Sequence, residues 1–238
     1  MAGTLASRGP KRFAPLRENS TSDAPKLQGI VFDMDGTLWY RGPLRAPTTD
    51  ILHISTLPPS SQPAANKTLR DIETRYMYLQ APQPGLVPLI DYLDARRVRK
   101  AIWTRNWDRP VRSLLNRFLK GREFVVVTRE WGGEPKPQPG GILSIAEGWG
   151  LWTGNEDGSG EGRPDASQLI MVGDSMDDML GGRNAGAATV LLLNDHNGHV
   201  ATSGMADLVI NRLDDLIQVL EDGFVGSVEG VDASAGTV

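Results

Sequence analysis

Residues 28–37 read QGIVFDMDGT, a short apolar run that ends in two carboxylates, Asp33 and Asp35, followed at once by Gly36. A short, nearly continuous run rich in Val and Ile reads as a strand covered on both faces of a parallel sheet. The same reading recurs along the chain at VRKAIWT (98–104), EFVVVT (123–128), QLIMVGD (168–174), ATVLLL (188–193) and ADLVIN (206–211). Helical spacing fills the intervals. Leu86, Leu89, Ile90 and Leu93 precede the second run, and Val111, Leu114, Leu115 and Phe118 follow it. Ile142, Ile145 and Ala146 follow the third, and a helix starts at Met179 after the fourth. Alternating strand and helix predict an α/β fold with a Rossmann-like, mostly parallel sheet flanked by helices.

Outside this rhythm the chain divides further. Residues 28–38 and 85–222 form the expected core. Residues 39–84 read as a small helical insert with two patterns, one on Ile51, Leu52 and Ile54 and one on Leu69, Ile72, Tyr76 and Leu79, separated by Pro58, Pro59 and Pro63. Residues 1–27 are rich in Pro, Ser, Arg and Gly without periodicity and are expected to be a disordered tail. With no acid before Glu18 the tail has a mitochondrial presequence as its alternative reading, although Pro10 and Pro15 would break an amphipathic helix. Residues 150–165 read as a mobile, Gly-rich acidic loop, and 223–238 as a frayed C-terminal tail.

Composition excludes several classes. The 238 residues accommodate one domain with a modest insert. There is no cysteine, hence no disulfide scaffold, thiol nucleophile or thiolate zinc site. That composition suits a reducing compartment, and the cytoplasm is the expected location. Three scattered histidines, His53, His196 and His199, do not make a metal site. No apolar run reaches the roughly 18 residues of a membrane span. The net charge of −4 gives no pull toward nucleic acid or an anionic membrane. One stretch runs against that balance: Arg96, Arg97, Arg99, Lys100, Arg105, Arg109, Arg112, Arg117 and Lys120 read either as a solvated helical face or as a nucleic-acid surface, the first being preferred.

In open α/β sheets ligands collect at the carboxyl ends of the strands. The first strand ends on Asp33 and Asp35, spaced so that both side chains leave one strand end together. Carboxylates that close need a cation or a shared proton. The second strand ends on Thr104, with Arg105 and Asn106 behind it. The fourth ends in GDSMDD, which supplies Asp174, Asp177 and Asp178. Asp174 is also an N-cap candidate for the helix that follows. An all-oxygen set suits Mg²⁺ rather than zinc. Lys136 follows the third strand between Pro135 and Pro137, which restrict the backbone around it. Carboxylates, a hydroxyl, a lysine and a divalent cation are the equipment of phosphoryl transfer.

These four segments, VFDMDGTL (31–38), AIWTRN (101–106), EPKPQP (134–139) and VGDSMDDM (172–179), resemble in order and strand context the motifs of the haloacid dehalogenase-like (HAD) hydrolase superfamily. The resemblance covers residues 28–220. It implies Mg²⁺-dependent phosphomonoester hydrolysis, with Asp33 as nucleophile forming an aspartyl-phosphate and Asp35 as acid and then base. It implies that Thr104 and Lys136 hold the phosphoryl oxygens. Asp174 and Asp178 would join Asp33 and the Asp35 carbonyl oxygen around Mg²⁺, with Asp177 replacing or assisting Asp178. Gly36, Thr37, Asn106 and Arg105 are candidate substrate contacts, and Trp39 and Trp107 candidate pocket walls. The insert at 39–84 would act as a small cap that excludes water and selects the substrate, a small phosphorylated metabolite or else a phosphoprotein.

Asp35 separates the chain from metal-free dehalogenases and from the phosphonate-cleaving branch of that superfamily. A phosphomutase of the same superfamily shares both aspartates and stays open as an alternative. So does a non-catalytic member that uses the fold for interaction.

Overall fold

The computed structural model describes residues 9–41, 54, 56–154 and 162–226. Every strand read from the sequence forms. β1 (Gly29–Phe32) lies at the centre of a sheet, paired in parallel with β4 (Arg99–Trp103) on one side and β8 (Leu169–Gly173) on the other. β5 (Val125–Val127) extends the first side, and β9 (Ala188–Leu192) and β10 (Leu208–Ile210) the second. The order across the six strands is β10-β9-β8-β1-β4-β5, all parallel. The chain runs outward from β1 to β5, then returns to the far side of β1. That reversal leaves a crevice beyond the carboxyl ends of β1 and β8, where such folds bind ligands.

Strand alternation assigns the core. Ile30, Phe32, Ile102, Ile170, Val172 and Val190 face one layer, and Val31, Ala101, Trp103, Leu169 and Met171 the other. The first layer receives α2 (Leu86–Ala95) and α3 (Asp108–Phe118) through Leu86, Leu89, Ile90, Leu93, Val111 and Leu114, together with α7 (Asp215–Asp222). The second receives α4 (Gly140–Gly148) through Ile142, Ile145 and Ala146. Met179 of α5 (Met176–Asn184) packs with Leu191 and with Val200 of the short α6 (Gly198–Ala201). These are the periodic positions of the sequence, buried as the spacing requires.

The insert is more than helices. β2 (Trp39–Arg41) and β3 (Gln80–Pro82) pair antiparallel and close its base, with Trp39 buried and Tyr40 exposed. Between them runs α1 (Gln62–Tyr76), with Leu69 buried as expected. The second helical pattern does not continue to Leu79. Residues Met77–Leu79 tighten into a 3₁₀ turn, where the Met77 carbonyl accepts from Arg117, and Leu79 is exposed. Of the first pattern, Ile51, Leu52 and neighbouring His53 lie outside the described residues, and Ile54 is buried. α1 is fixed to the core by a two-bond contact of Arg129 with Glu73, at 3.1 and 2.8 Å.

Three expectations need correction. Residues 9–27 are not a free tail. Phe13 is buried against Phe224, their ring centroids 5.7 Å apart, and the Leu16 amide donates to the Leu220 carbonyl. The other end is likewise not frayed from 223: Phe224 is fully buried, and the Gly226 amide donates to the Lys11 carbonyl. The two ends cover each other's apolar residues and satisfy each other's backbone. In the acidic loop, β6 (Trp152–Thr153) and β7 (Arg163–Pro164) pair antiparallel; residues 155–161 lie outside the described set.

The bases of 96–120 are largely engaged within the chain. Arg96 pairs with Glu221, Lys100 with Asp94, Arg105 with Asp177 and Arg112 with Asp108, while Arg99 donates to the carbonyls of Gln28 and Trp149. The remaining exposed histidines, His196 and His199, sit on the surface. No described helix is long and apolar enough to cross a membrane.

The clasp between the ends makes a stability prediction. Truncating a buried aromatic costs about 3–5 kcal/mol. Phe13→Ala is therefore expected to lower the urea midpoint clearly without changing the slope. An unchanged midpoint would mean that Phe13 does not pack in solution.

Candidate active site

The groups read from the sequence converge on the crevice between β1 and β8. Asp33 is the residue immediately after β1 and is nearly buried. Lys136 arrives from the loop after β5 and is almost wholly buried. Its Nζ donates to Asp33 Oδ1 at 2.6 Å and to Asp178 Oδ1 at 2.7 Å, and it lies 5.1 Å from the centroid of the Trp103 ring. Trp103 is a core residue wedged against α4 and α5, so the lysine is set from below by packing.

Asp178 holds Lys136 because it is itself held. Its Oδ2 accepts from the Ser175 amide at 3.0 Å and the Ser175 hydroxyl at 2.6 Å. Ser175 in turn caps α5, forming a reciprocal capping box with Asp178. Ser175, not Asp174, is therefore the N-cap, which frees the Asp174 side chain. Asp174 is instead placed by two asparagines after β9: Asn194 Nδ2 donates to its Oδ2 at 3.2 Å, and Asn197 Nδ2 to its backbone carbonyl at 2.8 Å. The sequence reading passed over both asparagines. The visible signal was that β9, like β1 and β8, ends at the crevice, and Asn194 stands two residues past that end.

Asp35 is addressed from the opposite side. Asn106 Nδ2 lies 3.3 and 3.1 Å from its two carboxylate oxygens. Asn106 is fixed in turn by its own amide to Thr104 Oγ1 at 3.0 Å and by its Oδ1, which accepts from the Trp107 amide. It is thus an aspartate-positioning group rather than a free substrate contact. Thr104 is nearly buried; its hydroxyl oxygen accepts from Asn106, and its proton is left to donate.

Gly36 sits at φ +90°, where L side chains are strained, and a Cβ there would fall 2.2 Å from Asp174 Oδ2. The glycine lets the first and fourth motifs touch. Its amide donates to the Trp39 carbonyl, and its carbonyl accepts from Gln83. Thr37 is fully buried beneath the turn. These two residues build the turn that carries Asp35 past Asp33, with Gly36 directly against the Asp174 carboxylate. Trp39 is buried in the core, and Trp107 carries the Arg70 guanidinium over its ring at 5.3 Å.

Arg105 and Asp177 pair with each other, Nη1 to Oδ2 at 2.6 Å. The sequence reading gave Arg105 to substrate and Asp177 to the metal. In the structure they bridge the ends of β4 and β8 across β1, and Asp177 lies outside the acidic cluster. That cluster consists of Asp33, Asp174 and Asp178, with one oxygen of each within 4.8 Å of the others.

The charges do not balance. Asp33, Asp35, Asp174 and Asp178 face a single buried ammonium. Burial pushes the Asp33 carboxyl well above the usual carboxylate range; Lys136 pulls it back, while Asp178, Asp174 and Asp35 push it further up. Asp174 is pushed up to about 7, by burial first and then by Asp178. Burial alone would lower the Lys136 ammonium, but Asp178 and Asp33 overcome it and raise it. An all-oxygen cluster with unmet negative charge is the donor set of a hard divalent cation. Asp33 and Asp174 are the carboxylates best placed to hold such a cation; Asp178, expected as a further ligand, has both oxygens already engaged by Lys136 and Ser175.

A Rossmann-ordered sheet with this carboxylate and lysine constellation at its switch point defines a class, and comparison with known proteins names it. The HAD-hydrolase-like family model matches residues 134–216. An uncharacterized hydrolase of Saccharomyces cerevisiae is 36% identical over 214 residues, covering 82% of this chain and 92% of its own. A haloacid dehalogenase-like hydrolase domain-containing protein of Arabidopsis thaliana is 29% identical over 239 residues, covering 86% and 88%. The chain belongs to the HAD-like hydrolase superfamily. Among solved structures, a hydrolase from Pseudomonas syringae superposes with a TM-score of 0.65 at 20% identity, over 82% of this chain and 98% of that one, which speaks to the fold.

The raised carboxyls link stability to pH. An Asp near 3.9 when unfolded and about 7 when folded binds its proton more tightly in the native state. Its contribution is fully present below the unfolded value and is lost as pH rises through about 7. In metal-free protein, Asp174→Asn is expected to remove that loss and to stabilise the fold at pH 8 by on the order of 3 kcal/mol relative to wild type. Urea midpoints at pH 5 and pH 8 read it; equal differences at both pH values would refute the linkage.

Proposed function

We propose that the protein is a Mg²⁺-dependent phosphomonoesterase acting through an aspartyl-phosphate on Asp33. The observation that carries this is the pairing of two differently held aspartates. Asp33 is locked onto Lys136, while Asp35 is addressed from the other side by Asn106. A nucleophile must be ionised; Lys136 favours that form against the burial and the neighbouring carboxylates that raise Asp33, and a bound cation would favour it further. An acid must exchange a proton, and Asp35 is held by the neutral side-chain amide of Asn106.

In the first step an Asp33 oxygen attacks phosphorus, and the bond from phosphorus to the ester oxygen breaks. Asp35 gives its proton to the departing alkoxide. In the second, water attacks the same phosphorus and Asp35 takes the water's proton. The bond to Asp33 then breaks, releasing inorganic phosphate and restoring both aspartates. The Lys136 ammonium and the Thr104 hydroxyl donate to the phosphoryl oxygens. Mg²⁺, held by Asp33, Asp174 and the Asp35 carbonyl oxygen, would supply further neutralisation of charge on the transferring group. Asp178 keeps Lys136 in place, and the pair Arg105–Asp177 keeps the ends of β4 and β8 at fixed separation. The insert, docked through Arg129 and Glu73, shields the crevice from bulk water, and the substrate class is a small phosphorylated metabolite.

Phosphate release from a panel of small phosphomonoesters tests the reading. Release is expected with Mg²⁺, to be abolished by EDTA, and to fall at least about 10³-fold in kcat with Asp33→Asn or Asp35→Asn. Release that survives Asp33→Asn would overturn the covalent route. Transfer to a second sugar hydroxyl in place of release would make the protein a mutase.

A further inference from the structure

In the hydrolytic reading the leaving group departs on the side of Asp35, and a cleft is connected to the residue that holds Asp35. Asn106, which holds Asp35, accepts the Arg129 amide on its backbone carbonyl at 3.0 Å. Arg129 and the next residue, Glu130, form one wall of a cleft of about 470 Å³. The other wall is a single face of α1: Pro63, Asn66, Lys67 and Arg70, spaced i, i+3, i+4 and i+7. Two hydrogen bonds thus lead from Asp35 to the cleft wall.

The lining carries three bases, Lys67, Arg70 and Arg129, against one acid, Glu130. Arg129 is not available: its pair with Glu73 is nearly buried. The other two bases are held loosely. Arg70 and Glu130 pair at 3.0 Å with side chains 49% and 42% exposed, and Lys67 and Asp71 are more exposed still. Exposed pairs of this kind contribute little, about 0–1 kcal/mol, so an incoming anion can replace the acid. Stacking on Trp107 keeps the Arg70 guanidinium in position when Glu130 is displaced. The first turn of α1, beside this cleft at Pro63, carries no acid to compete for an anion.

We infer that this cleft binds a second anionic group, phosphate or carboxylate, on the leaving group of the substrate, with Arg70 and Lys67 as the residues that select it. The inference rests on the hydrolytic reading for its placement beside Asp35. Glu130 acts as a stand-in anion in the empty cleft and as a competitor to the ligand.

The test compares matched substrates that differ by one anion: glycerol 3-phosphate against 3-phosphoglycerate, and fructose 6-phosphate against fructose 1,6-bisphosphate. The kcat/KM ratio within at least one pair is expected to favour the anion-bearing member about tenfold or more, and the pair that shows it identifies carboxylate or phosphate. Arg70→Ala and Lys67→Ala are each expected to lower that ratio several-fold, mainly through KM, with Arg70→Lys recovering part of it. Glu130→Gln removes the competitor and is expected to raise the ratio, an outcome that local unfolding would not produce. Ratios near one in both pairs, or a ratio unmoved by these variants, would overturn the inference. Calorimetric binding of the same four compounds to Asp33→Asn protein with Mg²⁺, alone and combined with Arg70→Ala, separates the two claims. Selective binding that depends on Arg70 without turnover of any compound would leave the cleft standing and remove the hydrolytic reading. Turnover without selectivity would do the reverse.

Discussion

The Lys136 ammonium, buried between Asp33 and Asp178, is the interaction on which the site depends. A lysine is almost never this deeply buried unless paired, because taking its charge out of water costs several kcal/mol. Here it has two partners from two strand ends, so it ties the carboxyl ends of β1 and β8 together from a third loop. The tie is only as firm as Asp178, and Asp178 is fixed by the same capping box that starts α5. Helix initiation and the placement of the ammonium are therefore one piece of local chemistry. The arrangement still leaves carboxylates in excess, and the structure keeps that excess in one place, at the switch point, where Asp33 and Asp174 are both raised by burial and by Asp178 and Asp35.

Much of this was legible because each motif stands where a strand period stops. The runs at 28–33, 98–104 and 168–174 give three adjacent strands, and their terminal residues meet because parallel strands present the same end to solvent. Asp33, Asp35, Thr104 and Asp174 follow from the strand ends, while Lys136 and the preference for Asp178 over Asp177 come from the resemblance of the motifs. What stayed hidden depends on pairings without a period. Phe13 and Leu16 are single apolar residues in a Pro-rich stretch, and no spacing announces that their partners are Phe224 and Leu220 at the other end of the chain. Asn194 and Asn197 carry no charge and belong to no repeat. Arg105 and Asp177 each looked like a site residue because each adjoins one; that they neutralise each other is visible only when the ends of β4 and β8 are brought together over β1. Gly36 and Thr37 show another case, in which residues read for contacts also build the backbone turn. The turn needs a residue without a Cβ beside Asp174, and that close contact consumes the turn itself.

Two kinds of ion pair differ most in burial. Arg129–Glu73 and Lys136 with Asp33 and Asp178 are shielded from water, so breaking either would strand a charge in a poorly solvated place. They set fixed distances: one docks α1 on the core and the other closes the crevice. Arg70–Glu130 and Lys67–Asp71 face water, where charges exchange partners at little cost. Both kinds occur on the same helix, three residues apart at Arg70 and Glu73. α1 is therefore held rigidly by one face while the adjoining face presents cations that can change partner. A helix that was itself loosely held would lose affinity to the ordering of its backbone, and a face of buried pairs could not accept an anion at all. The combination of a fixed helix and exchangeable charges, two hydrogen bonds from Asp35, is the physical basis of the selection among leaving groups proposed for this cleft.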